Sequence, residues 1–159
     1  MKAFAFAALV TITAMAAPCL AAEPVHEFGP ESLGKIKEAH AGKPLVIMIW
    51  SLDCAYCLES FQALEQGRRG QGLDIVTIST DQADDAETVK QIRKKIGAAG
   101  LHAETWAFGN ASAEQLRFAI DPKWRGELPR TYWFPRDAPP SAYSGLVTKD
   151  LIARRMTSK

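Results

Sequence analysis

Only three of the 159 residues are cysteine, at positions 19, 54 and 57. So few exclude a disulfide-stapled mini-protein, and a chain of this length buries a core without such staples. Charge of one sign is also lacking, since 19 Lys and Arg stand against 18 Asp and Glu, a formal net charge of +1. A nucleic-acid binder needs a basic face to neutralise phosphates, so that class of partner is excluded. Internal repeats, low-complexity tracts and linkers are absent as well. The chain therefore reads as one globular domain.

What is present begins with an apolar stretch. Lys2 is followed by Ala3 to Ala17 with no charged residue, then by Pro18, Cys19, Leu20, Ala21 and Ala22 before Glu23. A basic start, a short apolar run and a small-residue end describe a secretory signal peptide over 1–22, leaving a domain over 23–159. A transmembrane anchor is the competing reading, but the run is barely long enough and its end is small rather than basic. Acylation at Cys19 is a second competitor, and Pro18 stands where such processing sites carry a small residue. Removal of 22 residues would leave 137, with 18 basic against 18 acidic side chains and no membrane span. The cysteine content would then be one C-x-x-C pair.

Downstream, strand and helix patterns alternate. Pro30 opens a helix over 30–39 with Leu33 and Ile36 at helical spacing. Residues 45–50 form a continuous apolar run, the mark of a strand buried on both faces. A helix is expected from Cys54 to about Gln66, ending near Gly67, with Leu58, Phe61 and Leu64 on its apolar side. Residues 73–80 are β-branched and strand-like. A helix over 84–96 carries acids first and Arg93, Lys94 and Lys95 last, an order that suits the helix dipole and a solvated end. A strand over 102–108, a helix over 112–120, strands over 130–134 and 141–144, and a closing helix over 148–156 complete the pattern. The order implies a three-layer α/β domain with a mixed central sheet and helices on both faces.

The chemistry lies in Cys54-Ala55-Tyr56-Cys57, which follows the buried strand and opens a helix. Unpaired N–H groups and the positive dipole end at a helix N-terminus favour thiolate over thiol. Only the thiolate attacks a disulfide. That makes Cys54 the candidate nucleophile and Cys57 the candidate resolving residue. A closed zinc site would need four ligands, and there is no second C-x-x-C. Covalent haem would need His after Cys57, where Leu58 stands. His26, His40 and His102 are scattered, so no metal or other cofactor is expected. An inert structural disulfide and a Cu(I)-handling dithiol remain as alternatives.

Residues 43–57, Lys-Pro-Leu-Val-Ile-Met-Ile-Trp-Ser-Leu-Asp-Cys-Ala-Tyr-Cys, resemble the active-site stretch of the thioredoxin superfamily, with Trp50 four residues before the first cysteine. Residues 126–134, Gly-Glu-Leu-Pro-Arg-Thr-Tyr-Trp-Phe, resemble that fold's cis-proline loop and following strand. The resemblance implies a cis Pro129 packed on the cysteine pair and Leu128 backbone groups free to pair with a substrate strand. Between the two motifs the chain fits one extra helix–strand unit, which makes it similar to the TlpA/ResA-type periplasmic proteins. Peroxiredoxins share the enlarged layout but carry threonine where Ser51 stands. The TlpA/ResA likeness implies an exported reductant of protein disulfides, recharged by a membrane electron donor. An oxidant or isomerase is the alternative direction.

Several residues depart from that pattern. Asp53 replaces an uncharged residue and should oppose a thiolate at Cys54. Met48 replaces the buried acid of thioredoxins, while Ser60 and Gln62 stand where TlpA/ResA-type proteins often carry Glu and Pro. Glu59 points about 100° away around the helix from residue 60 and does not inherit that acid's role. Trp50 is expected either to shield the site or to pack in the core, and Trp124 to flank a substrate groove or to pack the loop.

Overall fold

The computed structural model describes residues 24–156. The expected signal peptide over 1–22, Cys19 included, lies outside the described residues. Among the described residues, six strands form one sheet and five helices cover it. None of these helices is long and apolar enough to cross a membrane.

The chain enters as strand β1 (Val25–Phe28) and helix α1 (Ser32–Ala39). The apolar run then forms β2 (Leu45–Trp50), with all six residues buried. It is followed by α2 (Cys57–Gln71), β3 (Asp74–Gln82), α3 (Ala86–Ala98), β4 (Glu104–Phe108) and α4 (Ala113–Ile120). Strands β5 (Arg130–Phe134) and β6 (Ser141–Ser144) form a hairpin, and α5 (Lys149–Met156) closes the fold. The sheet order is β1-β4-β3-β2-β5-β6. Strands β1 to β4 are mutually parallel where they pair, and β5 runs antiparallel to both β2 and β6. The sheet is thus mixed, as expected.

Alternation along β2 explains why its whole length is apolar. Val46, Met48 and Trp50 join a core with Cys57, Phe61 and Leu64 of α2, Ile92 and Ile96 of α3, and Leu151 and Ile152 of α5. Leu45, Ile47 and Ile49 join a second core with Ile36 of α1 and Leu116 and Ile120 of α4. Each large side chain fully buried in this way stabilises the fold by roughly 1.5–3 kcal/mol. Helix α3, a third helix on the face of α2 and α5, and strand β4 form the additional helix–strand unit between the cysteine motif and Pro129.

Helix α2 corrects two expectations. Its buried face is Cys57, Ser60, Phe61, Leu64 and Glu65, while Leu58 turns to solvent. Nor does it stop near Gly67: a Cβ there would lie 3.0 Å from Ile152 Cγ2, so the missing side chain lets α5 approach closely. The helix ends instead at Gly72, whose φ of +62° suits a residue without a side chain. Strand β1 carries no periodic signal in the sequence, because only Phe28 of its four residues is buried and it pairs with β4 alone.

The starts of β3 and β4 are fastened by His40, just beyond α1. Its Nδ1 lies 2.8 Å from Asp74 Oδ2 and its Nε2 3.0 Å from Glu104 Oε2. Burial opposes charge on the imidazole, but hydrogen bonds to the two carboxylates outweigh it and raise its pKa above the ordinary 6.5. Protonated His40 donates from both nitrogens, so this contribution is fully present below pH 6.5 and fades as pH rises through the elevated folded-state value. Urea unfolding of wild type and His40→Gln between pH 5.5 and 9 should show a stability gap that narrows as pH rises. A gap independent of pH would contradict this assignment.

Candidate functional site

Beyond Trp50 the chain leaves the sheet and turns twice before α2. Cys54 N–H donates to the Ser51 carbonyl at 3.2 Å, and Cys57 N–H to the Cys54 carbonyl at 3.4 Å. Helix α2 therefore starts at Cys57 rather than at Cys54, with Tyr56 as its N-cap residue. Cys54 sits on the turn in front of the helix, still facing its positive end. The two sulfurs are bonded at 1.96 Å with Cα atoms 5.5 Å apart.

The pair is asymmetric. Cys57 is fully buried in the same core as Trp50 and Phe61, whereas Cys54 is only partly covered. Tyr56, 61% exposed, and Leu58, 38% exposed, present apolar surface beside the disulfide. Asp53 and Glu59 are solvent-exposed, where water screens their charge. Ser60 is buried and ties two segments together. Its hydroxyl donates to the Tyr56 carbonyl at 2.9 Å and accepts from Val147 N–H at 3.1 Å.

Pro129 reaches the same end of β2 from the start of β5. The antiparallel register pairs Ile49 with Arg130, and its continuation sets Pro129 opposite Trp50. The Leu128–Pro129 peptide bond is cis, and Pro129 is buried. Its carbonyl accepts from Gly145 N–H at 2.8 Å. The Leu128 side chain packs on the core shared by α1 and α4, and its backbone N–H and C=O have no hydrogen-bond partner among the described residues. Trp50 is fully buried, with its ring edge-on to Phe61 at 5.0 Å. It therefore packs beneath the site without reaching its surface. Trp124 is buried too, its indole N–H donating to the Glu127 carbonyl at 3.0 Å, so it braces the loop over 121–129.

That loop is stapled at both ends by contacts no local pattern announces. Arg130 Nη2 donates to Asp121 Oδ2 at 3.1 Å and Arg130 Nη1 to Ser144 Oγ at 3.0 Å. Tyr132 donates its hydroxyl to the same Asp121 oxygen at 3.1 Å. Burial pushes the Tyr132 phenol up to about 12, which keeps it a donor at ordinary pH. Two further residues reach the loop in front of Cys54: the Asp81 carboxylate accepts Leu52 N–H at 2.8 Å, and Lys95 donates to the Leu52 carbonyl. Lys95 departs from the expected solvated helix end. Its position between the buried Ile92 and Ile96 was the one available signal.

No protein-family profile and no curated protein matches this chain. Solved structures do. One is a secreted disulfide oxidoreductase of Mycobacterium tuberculosis, described as homologous to E. coli DsbE. It is 16% identical over 74% of this chain and 83% of its own, with a TM-score of 0.55. A thioredoxin-related protein of Neisseria meningitidis serogroup B is 17% identical over 70% and 81%, with a TM-score of 0.57. A thioredoxin-family thiol:disulfide interchange protein of Chlorobium tepidum is 15% identical over 75% and 83%, with a TM-score of 0.53. This chain has the thioredoxin fold that these proteins share.

Because Asp121 satisfies both Arg130 and Tyr132, Asp121→Ala should cost about 2 kcal/mol by leaving two partly buried donors unpaired. Urea unfolding read against Tyr132→Phe, which removes one donor cleanly, checks this. Equal small losses in both variants would contradict the staple.

Proposed function

We propose that this chain is an exported thiol–disulfide oxidoreductase in which Cys54 is the attacking nucleophile and Cys57 the resolving residue. The observation that carries this reading is the unequal exposure of a bonded cysteine pair at the head of α2. A partner's sulfur reaches Cys54, while Cys57 is sheltered by Trp50 and Phe61. In the reducing direction the Cys54 thiolate attacks one sulfur of a partner disulfide, forming a mixed disulfide and expelling the partner's other sulfur as thiolate. Cys57 gives up its proton and attacks Cys54 Sγ, which expels the second partner thiolate. Two electrons and two protons pass to the partner, and the protein is left with its Cys54–Cys57 bond. An external dithiol then recharges it.

The first turn of α2 assists by favouring thiolate at Cys54 through its unpaired N–H groups. The unpartnered Leu128 backbone supports a role in holding an extended partner segment by strand pairing, with Pro129 setting the loop's course. Trp50 contributes from below, as a rigid floor under Cys57. The apolar stretch over 3–22 supports export, to the periplasm in a bacterium with two membranes. The TlpA/ResA resemblance supports the reducing direction and a membrane electron donor. A near-zero net charge suits partners chosen by strand pairing and thiol chemistry.

Reduction of insulin by dithiothreitol, followed by turbidity, tests the reaction. Wild type should accelerate it, and Cys54→Ser should abolish the acceleration. Cys57→Ala should lose turnover while accumulating a Cys54 mixed disulfide visible on non-reducing gels. Acceleration that survives Cys54→Ser, or its absence in wild type, would refute the assignment. A reduction potential well below the about −120 mV of the strongest oxidising catalysts is expected for a reductant, and one near it would reverse the direction.

A further inference from the structure

Strand β3 loses register with β4 near its end. Ser79 pairs with Ala107 and Gln82 with Phe108, so Thr80 and Asp81 stand outside the ladder. An irregularity of this kind re-aims a side chain. Here it returns Asp81 toward the loop in front of the cysteines, where Oδ2 accepts the Ser79 hydroxyl at 2.5 Å and Leu52 N–H at 2.8 Å. From the other side, Lys95 of α3 donates to the Leu52 carbonyl, and its ammonium stands 6.0 Å from the centre of the Trp50 ring. Lys95 has no carboxylate partner among the described residues. Lys95 is half-buried, and its charge is committed to loop backbone.

Leu52 lies two residues before Cys54. Its N–H is thus held by a negative group and its C=O by a positive one, each from a different element. We propose that Asp81 and Lys95 are positioning residues that clamp this loop and, by charges of opposite sign, set the balance between dithiol and disulfide at Cys54 and Cys57. The proposal rests on the exchange reaction above. Two glutathione thiols convert the protein disulfide to the dithiol and form one glutathione disulfide, so two electrons and two protons enter the protein. The dithiol carries part of its population as thiolate. A nearby ammonium therefore favours the reduced form, and a nearby carboxylate favours the oxidised form. Asp53 and Glu59, the other charged side chains on the loop and the first turn of α2, are solvent-exposed and common to every variant compared.

Wild type, Asp81→Asn, Lys95→Met and Lys95→Arg are equilibrated with glutathione buffers, with dithiothreitol substituted if the bond resists, and the reduced fraction is read by alkylation and mass. Lys95→Met should shift the equilibrium constant about tenfold toward the disulfide, about 30 mV. Asp81→Asn should shift it about threefold or more toward the dithiol, and Lys95→Arg should stay near wild type. A clamp that merely holds shape would move Asp81→Asn and Lys95→Met in the same direction. That result, or no shift in either, overturns the proposal. If Lys95→Met does not fold, Asp81→Asn decides alone, and any outcome other than a shift toward dithiol is fatal. Insulin reduction by wild type runs in parallel: its absence defeats the exchange reading, while the equilibria still judge the clamp. A wild-type disulfide that no dithiol reduces defeats both.

Discussion

The site depends on the double-sided burial of β2. Six consecutive residues are covered by helices on both faces and flanked by β3 and β5, so the end of the strand is fixed in three dimensions. Every segment of interest meets at that end. The cysteine loop leaves β2 there, β3 delivers its irregular turn, and β5 begins with the residue after Pro129. A strand with one solvated face would leave Trp50 free to shift, and with it the packing around Cys57. Close-packed cores resist such shifts because each displaced side chain loses many small attractive contacts at once.

On this floor the two cysteines occupy different environments. Cys57 belongs to a helix and its core, and Cys54 to a turn held by backbone bonds and by the groups gripping Leu52. Ser60 links the head of α2 to the segment before α5, and Asp121 with Arg130 holds the proline loop closed. Polar contacts thus fix the loops, while apolar packing fixes the strands. The opposite end of the parallel strands carries a separate set of polar ties, in which His40 joins the first residues of β3 and β4.

Strong periodic signals made most of the fold legible in the sequence. The run over 45–50, the amphipathic helices α3 and α4 and the proline-marked hairpin all announce themselves, and the motif around Cys54 and Cys57 marks the candidate site. Other features depend on partners distant in the chain. Strand β1 carries one buried residue in four and owes its existence to β4. Gly67 has the look of a helix stop, and only the approach of Ile152 explains it as a packing site. Asp81 is aimed by a register shift that no local pattern encodes. Lys95 follows a run of charge that reads as solvated until Leu52 is seen beside it. Helix α2 begins three residues beyond Cys54 because the turn over Cys54 and Tyr56 precedes its first helical residue.

Competitive alkylation of the fully reduced protein is the most direct test of the unequal cysteine pair. With substoichiometric iodoacetamide at neutral pH and peptide mass mapping, Cys54 should carry the label, and Cys57 should be labelled at a comparable rate only after unfolding. Equal labelling of the two in the native protein, or preferential labelling of Cys57, would contradict the account.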